Sequence, residues 1–352
     1  MRRVIPRTPD HPDGMTLIEL LVVVAILGLL AVTVLPNLAN TAEARRSREA
    51  SRVVSSFIAK SQSRAIGRSE WSGCTFVPVG TAGTQGFAVL DMFLADVPVR
   101  YRGETTDAVL TMSGTSPDRR TMTASTGGLT GVASRNVNRF DLIRFDGRGP
   151  WYELTDSPTT TSLEIRLLGY EDSNLAEDLG YVARNTPWPA DTQPHTFEIV
   201  RRPAPAGSPL SLAGGRAIDL FWSGFGPPFV GAISGTYVRF TTAGQPISLL
   251  FDGSGRLRQI LGPASPTTGS PRWVPTGPVF ILVGRADRAG QAQGTLNPAD
   301  DSVGANWQYS DSFWIGVDVV SGVCKTAECR PNASDVIDSQ LFIRQALLKG
   351  GS

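Results

Sequence analysis

The sequence predicts an α+β chain: one long N-terminal helix, its first half apolar enough to cross a membrane, packed through its second half on an enlarged antiparallel β-rich body. Three observations predict it. From Leu20 to Ala42 no charged side chain occurs, and Leu20–Val32 is apolar apart from Gly28; about 20 such residues cover the hydrocarbon core of a bilayer as a helix. From Leu38 to Ala65 apolar residues recur every three or four positions among arginines, the period of a helix with one buried stripe. After Gly67 that period stops. Short runs rich in β-branched and aromatic residues then alternate with Gly, Pro, Ser and Thr clusters, the pattern of strands and turns.

Residues 1–14 carry Arg2, Arg3 and Arg7 and no apolar run, so they read as a leader rather than a folded piece. The next stretch, Gly14-Met15-Thr16-Leu17-Ile18-Glu19-Leu20, places a carboxylate at the start of the apolar run. In lipid an acid costs about 2.5–3.5 kcal/mol at a helix centre and somewhat less near an end, so Glu19 calls for a cation. A cut between Gly14 and Met15 would create one, an amine four residues before that carboxylate. A plain signal peptide or anchor accounts less well for the stretch, because a secretory apolar region holds no acid and Ala39-Asn40-Thr41 is a poor cleavage site. Charge counting does not orient the span, since Arg45, Arg46, Arg48 and Arg52 follow it as Arg2, Arg3 and Arg7 precede it.

The run GMTLIELLVVVAILGLLAVTVLPNL resembles the N-terminal signature of type IV pilins and pseudopilins, over about 25 of 352 residues. Met15 stands where that family more often has Phe. The resemblance implies cleavage by a prepilin peptidase between Gly14 and Met15, N-methylation of Met15, and assembly roles for Glu19 and Pro36. Pro36 matches the family's proline and should bend or loosen the helix. The segments AKSQSRAIGR, Leu250–Leu257 and Trp314–Val323 are similar to minor H-type pseudopilins of type II secretion, although this body is roughly twice their usual length.

The expected organisation is a leader at 1–14, a helix at 15–66 with a transmembrane part at about 17–38, and a globular domain at 67–352. Fourteen strands are expected in that domain, among them Val97–Arg102, Phe140–Phe145, Trp151–Leu154, Val279–Val283 and Phe313–Val319. Loops are expected at about 113–136, 171–194, 203–215, 262–277 and 285–311; such lengths are unusual in compact domains. An amphipathic helix is expected at about 334–348, capped by Asn332 or Ser334 and stopped by Gly350. Asp146-Gly147-Arg148-Gly149 and Asp252-Gly253-Ser254-Gly255 read as turns rather than calcium loops, since neither has the oxygen ladder that calcium needs.

Residues 15–66 hold six bases and three acids, and residues 67–352 hold 24 bases and 27 acids. A mildly acidic body is a poor partner for nucleic acid, and none is expected. Arg119-Arg120 and Arg201-Arg202 read as solvated turn and strand-end charges. Of three cysteines, Cys324 and Cys329 are a disulfide candidate, with two free thiols as the alternative. No metal site, cofactor or catalytic constellation is visible; His195 is the one imidazole after the leader, so the chain is not expected to be an enzyme. The expected function is a prepilin-type structural subunit of a type IV pilus or a type II secretion pseudopilus. The alternative is a membrane- or fibre-anchored binding module whose loops recognise a surface or secreted ligand. Expected partners are a prepilin peptidase, other pilin or pseudopilin subunits, the secretion or pilus inner-membrane platform and membrane lipid. The expected location is the inner membrane as a single-pass protein, with the globular domain periplasmic or extracellular, and the pilus or pseudopilus after assembly.

Overall fold

The computed structural model describes residues 17–115, 119–131, 137–167, 187–189, 193–227, 237–262, 271–275, 277–296 and 303–349, with backbone alone at 30–42 and 115. Helix α1 runs Leu17–Arg68. The chain divides into two compact units, Met1–Arg46 and Ser47–Ser352.

In the second unit Ala50, Val54, Phe57, Ile58 and Ala65 of α1 are buried, positions that a 3.6-residue period places on one face. They share a core with an 11-stranded antiparallel sheet. Its main path runs β14 (Arg272–Trp273), β13 (Leu257–Leu261), β12 (Ile247–Phe251), β1 (Ser72–Pro78), β2 (Ala88–Asp96), β10 (Arg216–Phe225), β15 (Val279–Arg285), β16 (Phe313–Val317) and β17 (Cys324–Glu328). Two further strands, β9 (Ala204–Ser211) and β11 (Val238–Arg239), pair with β2 and β10. The unbroken apolar run of β15 follows from burial on both faces. Val279, Ile281 and Val283 join the helix-side core, while Phe280 and Leu282 join a second core on the other face, as strand alternation requires. That second core is covered by the short helices α2 (Val336–Ser339) and α3 (Leu341–Leu348). Gly316 lets α3 come close: a Cβ there would lie 2.8 Å from the Leu347 side chain and 2.9 Å from that of Ile343. The N-cap of α2 is Asp335, which accepts from the Asp338 N–H, in place of the expected Asn332 or Ser334; Gly350 lies outside the described residues.

The main sheet curls around α1 until distant parts of it meet. The Leu257 N–H donates to the Val319 carbonyl at 3.1 Å. Gln62 of α1 donates to the Gly255 and Ser321 carbonyls at 2.9 and 2.8 Å. Glycine is required at 322, where φ is +68° and a Cβ would lie 2.1 Å from the Gly255 oxygen.

Six further strands form a separate antiparallel sheet in the order β3 (Leu110–Thr115), β4 (Arg119–Ala124), β7 (Ser162–Leu167), β6 (Arg148–Leu154), β5 (Leu142–Phe145) and β8 (Phe197–Val200). Leu110 and His195 exchange backbone hydrogen bonds of 2.9 and 2.8 Å, which joins the two ends of that sheet into a small barrel. Met112, Met122, Ile143, Tyr152, Ile165 and Ile199 belong to its own core. The chain leaves the main sheet after Asp96 and returns at Ala204, and these two residues are paired partners on β2 and β9. The barrel is therefore an insertion between neighbouring strands. Arg64 of α1 marks the exit point, donating to both Asp96 carboxylate oxygens at 2.8 Å.

The expected pilin-like fold class does not describe this molecule. The chain is mostly antiparallel sheet, in two sheets with separate cores, rather than one enlarged domain laid on a membrane-anchored helix. Among the described residues no helix is long and apolar enough to cross a membrane. This overturns the transmembrane part at about 17–38 and the single-pass inner-membrane location. A strand at Val97–Arg102 is also not formed; only Tyr101 bridges to Ile199. Strands β4, β9 and β14 occupy stretches read as irregular, because RRTMTA and APAGSPLS carry almost no apolar alternation, and β17 forms where no strand is expected.

Candidate functional site

The expected site residues cluster at the N-terminus, within the first unit. Gly14 and Met15 lie outside the described residues. Glu19 sits in the first turn of α1, where a carboxylate favours the positive end of the helix dipole. At Pro36 the backbone is helical, and α1 passes through it as one element. Around Glu19 the large apolar residues from Leu17 to Leu29 are exposed, Leu17 by 82 % and Leu29 by 71 %. A contiguous apolar surface of that extent marks an interaction site. Further along the same unit, Arg46 donates to Glu43 at 2.9 Å. Chemically the arm offers a desolvation-driven contact surface with one carboxylate set into it.

The expected disulfide is not formed: Cys324 and Cys329 are free cysteines. Cys324 begins β17 and Cys329 follows it directly. An extended strand puts residues five apart about 16 Å from one another, and on opposite faces, far beyond the ~4.4–6.8 Å that a disulfide spans. Burial pushes the Cys324 thiol up to about 12 and raises Cys74 and Cys329 well above the ordinary thiol range, so none of the three is poised as a nucleophile. No group of three or more metal-ligating side chains occurs among the described residues.

Both Asp-Gly segments form tight turns. Asp146 and Gly147 adopt φ of +51° and +65° between the paired residues Phe145 and Arg148, as a two-residue hairpin requires. Asp252 accepts from the Ser254 and Arg256 N–H groups at 2.9 and 3.1 Å. His195 contacts Asp146 through Nδ1 at 2.7 Å. Burial works to raise the Asp146 pKa, but the hydrogen bonds and charge of His195 and the bonds of Thr196 hold it below the usual range. This pair fastens the strand entering the barrel seam. Arg119 lies in β4 and Arg202 approaches the buried Asp141 at 3.8 Å. Neither doublet is purely solvated.

Asp219 in β10 is the buried acid that sequence reasoning did not single out. It accepts from the Gly290 N–H and from Asn306 Nδ2, both at 3.1 Å, tying the 286–306 connection to the main sheet. Burial pushes its pKa up to about 7. The folded chain then holds a proton that the unfolded chain has released above about pH 4, so this residue's contribution to stability falls as pH rises from about 4 to about 7. Asp219→Asn should remove that slope. Urea denaturation at pH 5 and pH 8 checks this: the stability of the variant relative to wild type should improve at pH 8, and a difference independent of pH would refute the assignment.

No family model, curated protein or solved structure matches this chain.

Proposed function

We propose that the chain is a prepilin-type structural subunit, cut between Gly14 and Met15 by a prepilin peptidase, methylated on Met15, and assembled with other subunits into a pilus or pseudopilus through the N-terminal arm. The observation that carries this reading is the exposed apolar arm with Glu19 in its first turn, directly after the Gly14-Met15 motif. Packing such arms side by side removes their apolar surface from water. Once desolvated, Glu19 needs a cation, and the Met15 amine of a neighbouring, staggered subunit is the nearest in sequence position. Pairing of that kind would select one register of packing.

The test is co-expression with a prepilin peptidase and partner subunits, comparing wild type, Glu19→Leu and Glu19→Asp. Intact mass is expected to give a methylated chain starting at Met15 in all three. Incorporation into fibres is expected to drop at least about tenfold for Glu19→Leu, the scale of one lost charge pair, and to be partly retained for Glu19→Asp. Wild-type incorporation of Glu19→Leu would remove Glu19 from the assembly contact, and a chain still starting at Met1 would defeat the reading as a whole.

The alternative, a fibre-anchored binding module, is favoured by one observation: the inserted barrel adds a separately cored body to the main sheet without contributing to the main core.

A further inference from the structure

One carboxylate on the barrel holds three guanidinium groups. Glu198 of β8 is 6 % exposed at its side chain, beneath Arg100, Arg102 and Arg144, which are 49 %, 72 % and 25 % exposed. Arg100 donates through Nη1 to both carboxylate oxygens at 2.9 Å. Arg144, directly opposite Glu198 on β5, donates through Nε at 3.0 Å and Nη2 at 2.5 Å. Arg102 reaches the other oxygen at 3.4 Å. Burial works to raise the Glu198 pKa, but the hydrogen bonds and charges of Arg100 and Arg144 overcome it and hold the group ionised.

The cluster therefore keeps a net charge of +2. Arg100 and Arg102 each spend one terminal nitrogen on Glu198 in these bonds, out of five N–H donors per guanidinium. Glu198 offsets one of the three positive charges and fixes the arginines in place, so donors remain for a second anion. Trp151 of β6 stands beside them, with the Arg144 guanidinium 4.7 Å and that of Arg100 5.9 Å from its ring centroid. An indole plate next to guanidinium forks offers apolar stacking and planar bidentate donation together.

Charge in the surrounding sequence narrows the class of ligand. Residues 97–203 hold 12 bases and 14 acids; outside the four clustered residues, nine bases face 13 acids. This excess of acids over bases disfavours a polyanion, whereas a single anionic group needs only the cluster itself. We propose that this face of the barrel binds a glycan carrying one carboxylated sugar, the carboxylate on Arg100 and Arg102 and the sugar ring against Trp151. The inference rests on the barrel alone and does not depend on assembly through the N-terminal arm.

Calorimetric titration of the full chain tests it, with a trisaccharide ending in glucuronic acid, the same trisaccharide ending in glucose, a pentaglutamate peptide and sodium sulfate as probes. Saturable binding is expected for the glucuronate-ended probe only, weakening as salt is raised. Arg102→Ala should weaken it by about tenfold or more, the scale of a lost charge-assisted hydrogen bond, while leaving the melting temperature unchanged, because Arg102 is mostly exposed. A structural role alone would leave no binding to lose. Absence of saturable binding overturns the proposal, as does wild-type affinity in Arg102→Ala. Equal affinity for pentaglutamate or sulfate overturns the carbohydrate assignment, leaving a bare anion site.

Discussion

Replacing Phe57 with aspartate is expected to unfold the main sheet of the unit Ser47–Ser352 at ambient temperature. Phe57 is 6 % exposed and lies in the core that α1 shares with the curled sheet. Losing a buried phenylalanine costs about 3–5 kcal/mol, and burying a carboxylate in its place adds several more. Total stabilities of about 5–15 kcal/mol leave little margin for such a loss. The curl of the sheet makes the effect global, because Gln62, one and a half turns further along α1, holds Gly255 and Ser321 together. Near-ultraviolet circular dichroism and dye binding to exposed apolar surface would report the loss, and Phe57→Leu should remain folded as the control. A cooperative melt of Phe57→Asp within a few degrees of wild type would show that the α1–sheet core does not hold the body together.

Excising residues 97–203 should have the opposite outcome: a main sheet that still folds. Asp96 and Ala204 are antiparallel partners, so their Cα atoms lie about 5 Å apart and a two-residue Asn-Gly turn can join them. The excised barrel takes its own core with it. What is lost lies at the junction, where Arg272 of β14 donates through Nε to the Phe140 carbonyl at 2.9 Å. Burial lowers the Arg272 pKa to about 10, so exposing that guanidinium to water relieves a desolvation cost and offsets part of the lost contact. The joined chain is expected to melt in one cooperative transition, with α1 still protected from hydrogen exchange at Val54, Phe57 and Ile58. An excised chain without a cooperative transition would mean that the barrel is integral to the main fold. Under the same logic the Phe57→Asp chain should keep residual strand signal from the intact barrel.

The amino-acid sequence by itself determined the features set by period and by turn chemistry. The stripe Val54, Phe57, Ile58 and Ala65 is legible because helical spacing puts those positions on one face. The run of β15 is legible as strand because alternate residues fill cores on its two sides. Asp146-Gly147 is legible as a turn because it supplies two positive φ angles cheaply. The motif around Gly14, Met15 and Glu19 is equally local, and its meaning awaits the assembly test. Tertiary structure alone decided how the strands pair. Backbone hydrogen bonds are nearly blind to residue identity, so nothing in Asp96 or Ala204 announces that they are partners across the inserted barrel. The same blindness hid β4 and β9, whose polar sequences form strands because neighbours offer ladders to them. It also decided the fate of Cys324 and Cys329, whose spacing permits a closed loop until the residues between them are drawn out straight along β16. The cluster on Glu198 joins positions from 100 to 198, and only the pairing of β5 with β8 and the Tyr101–Ile199 bridge bring them within hydrogen-bonding distance. Loop closure costs entropy that grows only slowly with length, so such distant pairings are readily formed in the fold while leaving no local trace in the chain.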